Sequence, residues 1–295
     1  MRRLRMGIGI IFVFAGLVFG GYKVKKVLTE DTVAPVIQSE QDEITVSVAD
    51  EESALLQGLT AEDNKDGNLT DSIRVSSMSH FISEGKRTIS YVVFDKANQA
   101  GTYERTVQYT DYTSPKIHVT RPLRYTAQEI QKEDITEALT AADCLDGDIT
   151  SEIRTFSDTY FYDLVPGAYP ITLQVNNSAG DTCSVPVDVV IIDSTDQNEV
   201  LKYYPMFSEY IIYTKVNVGV DVLSRVIGLE QNGREYLYES DPELKADTLG
   251  RVAVSSTVDY ATPGVYPVEC SYTSNDGITA VTKLYIVVEG TKDGE

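Results

Sequence analysis

Beyond residue 30 the chain alternates apolar and polar positions in short runs, broken by glycine, proline, asparagine and aspartate. Thr88-Ile-Ser-Tyr-Val-Val-Phe-Asp95, Ile171-Thr-Leu-Gln-Val175 and Val268-Glu-Cys-Ser-Tyr272 are such runs. Successive side chains of a strand point to opposite faces, so the pattern predicts strands with one face in a core. Each run leads through a turn (Lys96–Gly101, Asn176–Gly180, Asn275–Gly277) into a second alternating run, Thr102–Asp111, Ser184–Asp193 and Thr279–Glu289. Strand, glycine-containing turn and strand make a hairpin. In the first unit Ile37, Val46, Leu59, Ile73, Tyr91 and Val93 are the predicted inward residues.

The first thirty residues follow another pattern. Gly7–Tyr22 is free of charge, preceded by Arg2, Arg3 and Arg5 and followed by Lys23, Lys25 and Lys26. A basic cluster before an apolar run is how a segment enters the export machinery. As a helix the run is ~24 Å long, a little under the ~30 Å of a bilayer core, and flanking lysines can reach the interface. No small-x-small exit site follows, which favours an uncleaved signal-anchor over a cleaved signal peptide. Residues 1–30 are therefore expected to be a basic cytoplasmic tip and a single transmembrane helix, with the bulk of the chain extracellular at the cell membrane.

Self-similarity organises the rest. Asp31-Thr-Val-Ala-Pro35-Val-Ile37 recurs as Asp111-Tyr-Thr-Ser-Pro115-Lys-Ile117, 80 positions on. At the same step Leu59-Thr-Ala-Glu-Asp63-Asn-Lys-Asp66-Gly67-Asn68-Leu-Thr70 recurs as Leu139-Thr-Ala-Ala-Asp143-Cys-Leu-Asp146-Gly147-Asp148-Ile-Thr150. Two motifs at one offset mark a repeat. The third unit keeps Pro263-Gly-Val-Tyr-Pro267 and the strand after it, but has no D-x-x-D-G motif and no opening proline. The units are 31–111, 112–195 and 196–295. Short Val/Ile/Thr/Tyr-rich strands with frequent turns predict an all-β chain of tandem immunoglobulin-like β-sandwiches behind an N-terminal transmembrane helix.

The [AS]-P-x-I opening, the L-T-A-x-D-x-x-D-G-x-x-T loop and the G-x-Y-x-[IV] strand resemble the bacterial immunoglobulin-like repeats of surface proteins, which are related to hyalin-type repeats. The resemblance covers residues 31–193 well and 198–290 weakly. It implies a spacer, adhesive or partner-docking role at a bacterial surface, and place more than chemistry; a carbohydrate-binding surface module and an accessory subunit of an exported enzyme are the alternative readings.

Charge narrows the partners. The formal charge is −20, and the first 26 residues carry six basic residues and no acidic one, which leaves 45 acids against 19 bases in the remainder. Such a body repels phosphate backbones, so nucleic acid is not an expected partner. The expected partners are the membrane, through the N-terminal helix, and a surface protein or a glycan. Two histidines, His80 and His118, three cysteines and no tryptophan leave little for catalysis, and no G-x-S-x-G is present. No enzyme is expected. Cys144 and Cys183 read either as free thiols or as one disulfide, and Cys270 is left over in both cases.

Two clusters remain. In an immunoglobulin-like order the opening strand, the D-x-x-D-G loop and the later hairpin turn return to one pole. That groups Asp31, Asp63, Asp66, Asn68 and Asp95 in the first unit, and Asp111, Asp143, Asp146, Asp148 and Asn176 in the second. The oxygens read either as calcium ligands or as acceptors that hold a turn together, with glycine supplying positive φ; no other cofactor is expected. Tyr203 and Tyr204 open the third unit and read either as a sugar-stacking platform or as strand residues.

Overall fold

The structure, a computed structural model, describes residues 2–132, 134–157 and 164–290, with side chains of the first helix given for residues 11–26. The side chains of Arg2, Arg3 and Arg5 and the last five residues of the third unit lie outside the described residues. The chain divides into two compact units, one of Met1–Ile82 with Lys86–Thr110 and one of Ser83–Gly85 with Asp111–Glu295.

The first unit opens with α1 (Arg2–Thr29), 28 residues long. Among the described residues no helix is long and apolar enough to cross a membrane. The expected spanning segment is thus seen as an N-terminal helix whose uncharged stretch, Gly7–Tyr22, is shorter than a bilayer core.

Seven strands follow: β1 (Val36–Ser39), β2 (Glu43–Val46), β3 (Leu59–Asp63), β4 (Gly67–Asn68), β5 (Arg74–Ser83), β6 (Lys86–Phe94) and β7 (Ala100–Tyr109). They form two sheets, β1-β3-β4 and β2-β7-β6-β5, in which β2 runs parallel to β7 and the other pairs described are antiparallel. Ile37, Val46, Leu59, Tyr91 and Val93 alternate inward along the strands and are buried, as the pattern predicts, and so is Ile73 just before β5. Arg105 is buried among them, with no carboxylate partner among the described residues. Its guanidinium donates to Leu55 O, Gln57 O, Ser39 Oγ and the Tyr91 hydroxyl, which ties the turn at Glu52–Leu56 to the sheets. A buried cation survives only when its donors are satisfied in this way.

The second unit holds two sandwiches of the same plan. The first has β8 (Lys116–Val119), β9 (Arg124–Thr126), β10 (Leu139–Asp143), β11 (Gly147–Asp148), β12 (Arg154–Phe156), β13 (Gly167–Asn176) and β14 (Thr182–Ile192). Its sheets are β8-β10-β11 and β9-β14-β13-β12, with β9 parallel to β14. The other has β15 (Tyr204–Phe207), β16 (Ile211–Lys215), β17 (Val226–Gln231), β18 (Arg234–Leu237), β19 (Val252–Ser256), β20 (Gly264–Thr273) and β21 (Thr279–Glu289). Its sheets are β15-β17-β18 and β16-β21-β20-β19, with β16 parallel to β21. The third repeat therefore keeps the strand order that its sequence no longer advertises. Its own addition is α2 (Pro242–Thr248), started by Pro242 in the first turn and by Asp241, whose carboxylate accepts the Leu244 N–H.

The sequence divides 112–195 from 196–295 as separate domains, but here one continuous hydrophobic cluster runs through both. Polar groups cross between them as well. The Tyr213 hydroxyl both accepts the Ile117 N–H at 2.9 Å and donates to the Ile117 carbonyl at 3.0 Å. Tyr285 accepts the Asp188 N–H at 2.6 Å, and Lys283 reaches the Asp188 carboxylate at 2.6 Å. Arg124 pairs with Glu230.

Candidate functional site

The D-x-x-D-G motif is the hairpin turn between β3 and β4, not a loop between sheets. Its logic is local. The Asp63 side chain turns back on its own loop, and Oδ1 accepts the Lys65 and Asp66 N–H groups, both at 2.8 Å. Gly67 then takes φ +73°, which a side chain would resist. These two N–H donors, Asp66 first, hold the Asp63 carboxyl below its ordinary pKa. Asp66 reaches across to the β6–β7 turn, accepting the Lys96 N–H at 2.7 Å on Oδ2 and its ammonium at 2.9 Å on Oδ1. The Asp66 carboxyl is lowered accordingly, and the ammonium is raised by the same contact.

The structure brings Asp31, Asp63 and Asp66 together, with one oxygen of each within 4.8 Å of the others. Asp63 is buried, and its second oxygen, Oδ2, is buried with no hydrogen-bond partner. Asp95 is also buried, at the start of the β6–β7 turn, but both its oxygens are engaged by Gln99, from the backbone N–H and the side-chain amide. Asn68 belongs elsewhere. Its side chain accepts the Thr70 N–H at 2.9 Å and shapes the turn after β4.

The second repeat builds the same turn with a different outcome. Asp143 Oδ2 accepts the Leu145 and Asp146 N–H groups, while Oδ1 accepts the Asn177 amide at 3.1 Å. Asp146 accepts the Ser178 N–H and hydroxyl. Asp148 accepts the Thr150 N–H, as Asn68 does with Thr70, and its carboxyl is lowered by that residue. The carboxylates of Asp143 and Asp146 are thus closed by protein donors. Asp111 is exposed and does not join a three-carboxylate group among the described residues.

The expected member Asn176 is displaced by one residue. Asn176 is exposed and pairs with Gln174, whereas the buried Asn177 makes the bonds to Asp143, Tyr112 and the Asp181 N–H. Asn177 is the counterpart of Asp95. Each starts a turn whose fourth residue has positive φ, Asn98 at +65° and Gly180 at +80°. Each also pairs its N–H with the carbonyl of the fifth residue, Gln99 or Asp181. The signal was present in the sequence as the two extra residues of the second repeat before this turn, which change the step from 80 to 82.

The tyrosines at the head of the third repeat are packed rather than presented. Tyr204 is buried, with the Arg124 guanidinium 3.5 Å from its ring centre and its hydroxyl donated to Glu199. Burial first, and then Glu199, push its phenol well above the ordinary value. Tyr203 is half-buried against the rings of Tyr236 and Tyr272, at 6.0 and 6.3 Å between centres. Tyr204 therefore has no face for a sugar, and Tyr203 is a member of an aromatic cluster. The cysteines are all free: Cys144 donates to Thr113 O, Cys183 lies 3.6 Å from the Tyr213 hydroxyl, and Cys270 is buried.

No protein-family model and no curated protein matches the chain. Among solved structures it is similar to the catalytic domain with two CBM51 domains of Clostridium perfringens ZmpB, at 13% identity and TM-score 0.23, over 89% of this chain and 31% of that one. It is similar to a lipoprotein of Bacteroides thetaiotaomicron at 12% identity and TM-score 0.20, over 85% of this chain and 98% of that one. Against Drosophila N-cadherin EC1-3 the identity is 11% and the TM-score 0.27, over 89% and 91%. Superpositions this loose carry no functional inference, and this chain spans less than a third of the ZmpB structure.

Proposed function

We propose that this chain is a non-enzymatic, membrane-tethered surface module that holds its β-sandwiches outside the membrane as a spacer or docking body for a surface partner. One observation carries the reading. In α1 the side chains of Ile11, Phe12, Val13, Phe14, Leu17, Val18 and Phe19 are 57% to 80% exposed, so apolar residues face outward all around the helix. No globular helix leaves such a surface in water, because each buried Leu, Ile or Phe side chain gains roughly 1.5–3 kcal/mol. Lipid is the solvent that suits it on every side. The uncharged run falls ~6 Å short of a bilayer core, a gap that snorkelling by Lys23, Lys25 and Lys26 and local thinning can close. The basic tip stays inside and the acidic body outside, away from anionic phosphates.

Glycan docking through Tyr203 and Tyr204 is not favoured, since Arg124 occupies the Tyr204 face. The test is fractionation of cells that express the full chain, followed by protease treatment of intact cells. The expected result is a protein in the membrane fraction whose β-sandwich body is removed from outside and whose first residues are protected. Recovery in the soluble fraction, or a mature N-terminus at or beyond Gly20, would overturn the tether.

A further inference from the structure

We propose that the first repeat binds one calcium ion at the β3–β4 turn, through the carboxylates of Asp31, Asp63 and Asp66. The observation that points to a ligand is Asp63 itself. It is 8% exposed, and Oδ2 is buried with no hydrogen-bond partner. An ionised oxygen in that position loses its hydration without compensation, a cost that native folds avoid by pairing or by a cation. The same carboxylate offers an oxygen within 4.8 Å of one from Asp31 and one from Asp66, a spacing that a single ion can span.

The second repeat shows what the first lacks. There the oxygen equivalent to Asp63 Oδ2 is Asp143 Oδ1, and it is satisfied by the Asn177 amide. The first repeat has Asp95 where the second has Asn177, so an acceptor stands in place of a donor. Among the described residues nothing answers Asp63 Oδ2, and the local charge becomes more negative instead. The single difference between amide and carboxylate turns a closed hydrogen-bond network into an open cation site.

The donor set selects the ion. Three carboxylates without histidine or cysteine suit a hard cation and not zinc. Calcium accepts six to eight oxygens in flexible geometry, so water can fill the remaining positions on this partly exposed turn. The Lys96 ammonium on Asp66 Oδ1 is the competing charge; its side chain is 84% exposed and free to swing away, while its backbone N–H keeps Asp66 in place through Oδ2.

The experiment is isothermal calorimetry on the full chain in detergent micelles, titrated with CaCl₂ up to about 5 mM, which covers the affinities of extracellular calcium modules. The expected result is one ion per chain, at least tenfold weaker binding in Asp63→Asn and in Asp31→Asn, and unchanged binding in the second-repeat control Asp143→Asn. Asp95→Asn is the sharper variant, because it installs the donor found in the second repeat; it should weaken calcium at least tenfold and raise the melting temperature in chelator. Asp31 is only partly buried, so its variant keeps the test intact if Asp63→Asn does not fold. No heat of binding in the wild type would overturn the proposal, and so would undiminished affinity in Asp31→Asn and Asp95→Asn, or a loss in Asp143→Asn as large as in Asp63→Asn.

Discussion

Replacing Tyr213 with phenylalanine removes one oxygen from the seam between the second and third repeats. That oxygen serves both backbone groups of Ile117, accepting from its N–H and donating to its carbonyl. β8, which carries Ile117, is the edge strand of its sheet, and these two groups face the neighbouring sandwich rather than another strand. Burial pushes the Tyr213 phenol far up, so the hydroxyl is neutral at any workable pH and can play both roles. The ring itself stays in the variant, with His118 at 6.1 Å and the Lys116 ammonium at 4.9 Å from its centre, so little packing is lost. What is lost is the pairing of one donor and one acceptor at a part-buried edge. At about 1–3 kcal/mol for each unpaired group, and with the Cys183 thiol close enough to recover a share, the expected cost is about 2–4 kcal/mol. Urea unfolding of the full chain measures it. Since the cluster runs through both repeats, the loss should appear as an earlier midpoint of one shared transition with an unchanged slope. A cost under about 0.5 kcal/mol would show that the edge groups are satisfied without Tyr213. Separate transitions for the two repeats, with only one shifted, would refute the common core.

Leu59→Ala should cost about 2–5 kcal/mol in the first unit, since Leu59 is 4% exposed at the head of β3; a loss under about 1 kcal/mol would mean that the site is not a packed core position. Cys270 is fully buried and its thiol is pushed up to about 12, so iodoacetamide should modify it only on unfolding, after Cys144 and Cys183; early labelling of Cys270 would contradict its place in β20. Asp63 has its folded pKa held below 3.8, so with calcium chelated its contribution is complete above about pH 4 and disappears as the pH falls through the folded value. Asp63→Asn should therefore make the acid limb of the stability curve shallower below about pH 4, and an unchanged limb would remove Asp63 from that balance.

The strands were legible because period-two burial is a one-residue signal: Ile37, Leu59, Tyr91 and Val93 are inward by pattern alone and buried in the structure. The first two repeats were legible through the D-x-x-D-G turn, whose first aspartate, Asp63 or Asp143, accepts the N–H groups two and three residues on. The third repeat was harder, since its topology rests on long-range pairing such as Ile211 with Tyr285, and pairing across more than seventy residues leaves no motif. The seam was not legible. Tyr213, Tyr285, Arg124 and Lys283 look like ordinary strand residues until the fold puts them beside Ile117, Glu230 and Asp188. At the acidic turns the motif located the correct pole, but a two-residue insertion hid Asn177 behind Asn176. The distinction between an open carboxylate and a closed one depends on that residue.

Each sandwich splits its opening segment between two sheets, and the second piece lies parallel to the last strand: β2 on β7, β9 on β14, β16 on β21. A pull applied at the two ends of a sandwich therefore loads this pair along its length. In a parallel ladder the bonds are evenly spaced and slanted, so they share such a shear and yield together rather than opening one at a time like a zipper. The ladders differ in reach, with three residue pairs in the second repeat, four in the first and five in the third. Under tension the resistance of a sandwich follows an unfolding rate, to which this short clasp contributes, rather than the equilibrium stability of its core. The second repeat has the shortest clasp, and it is also the repeat whose edge strand β8 is hydrogen-bonded by Tyr213 of the third.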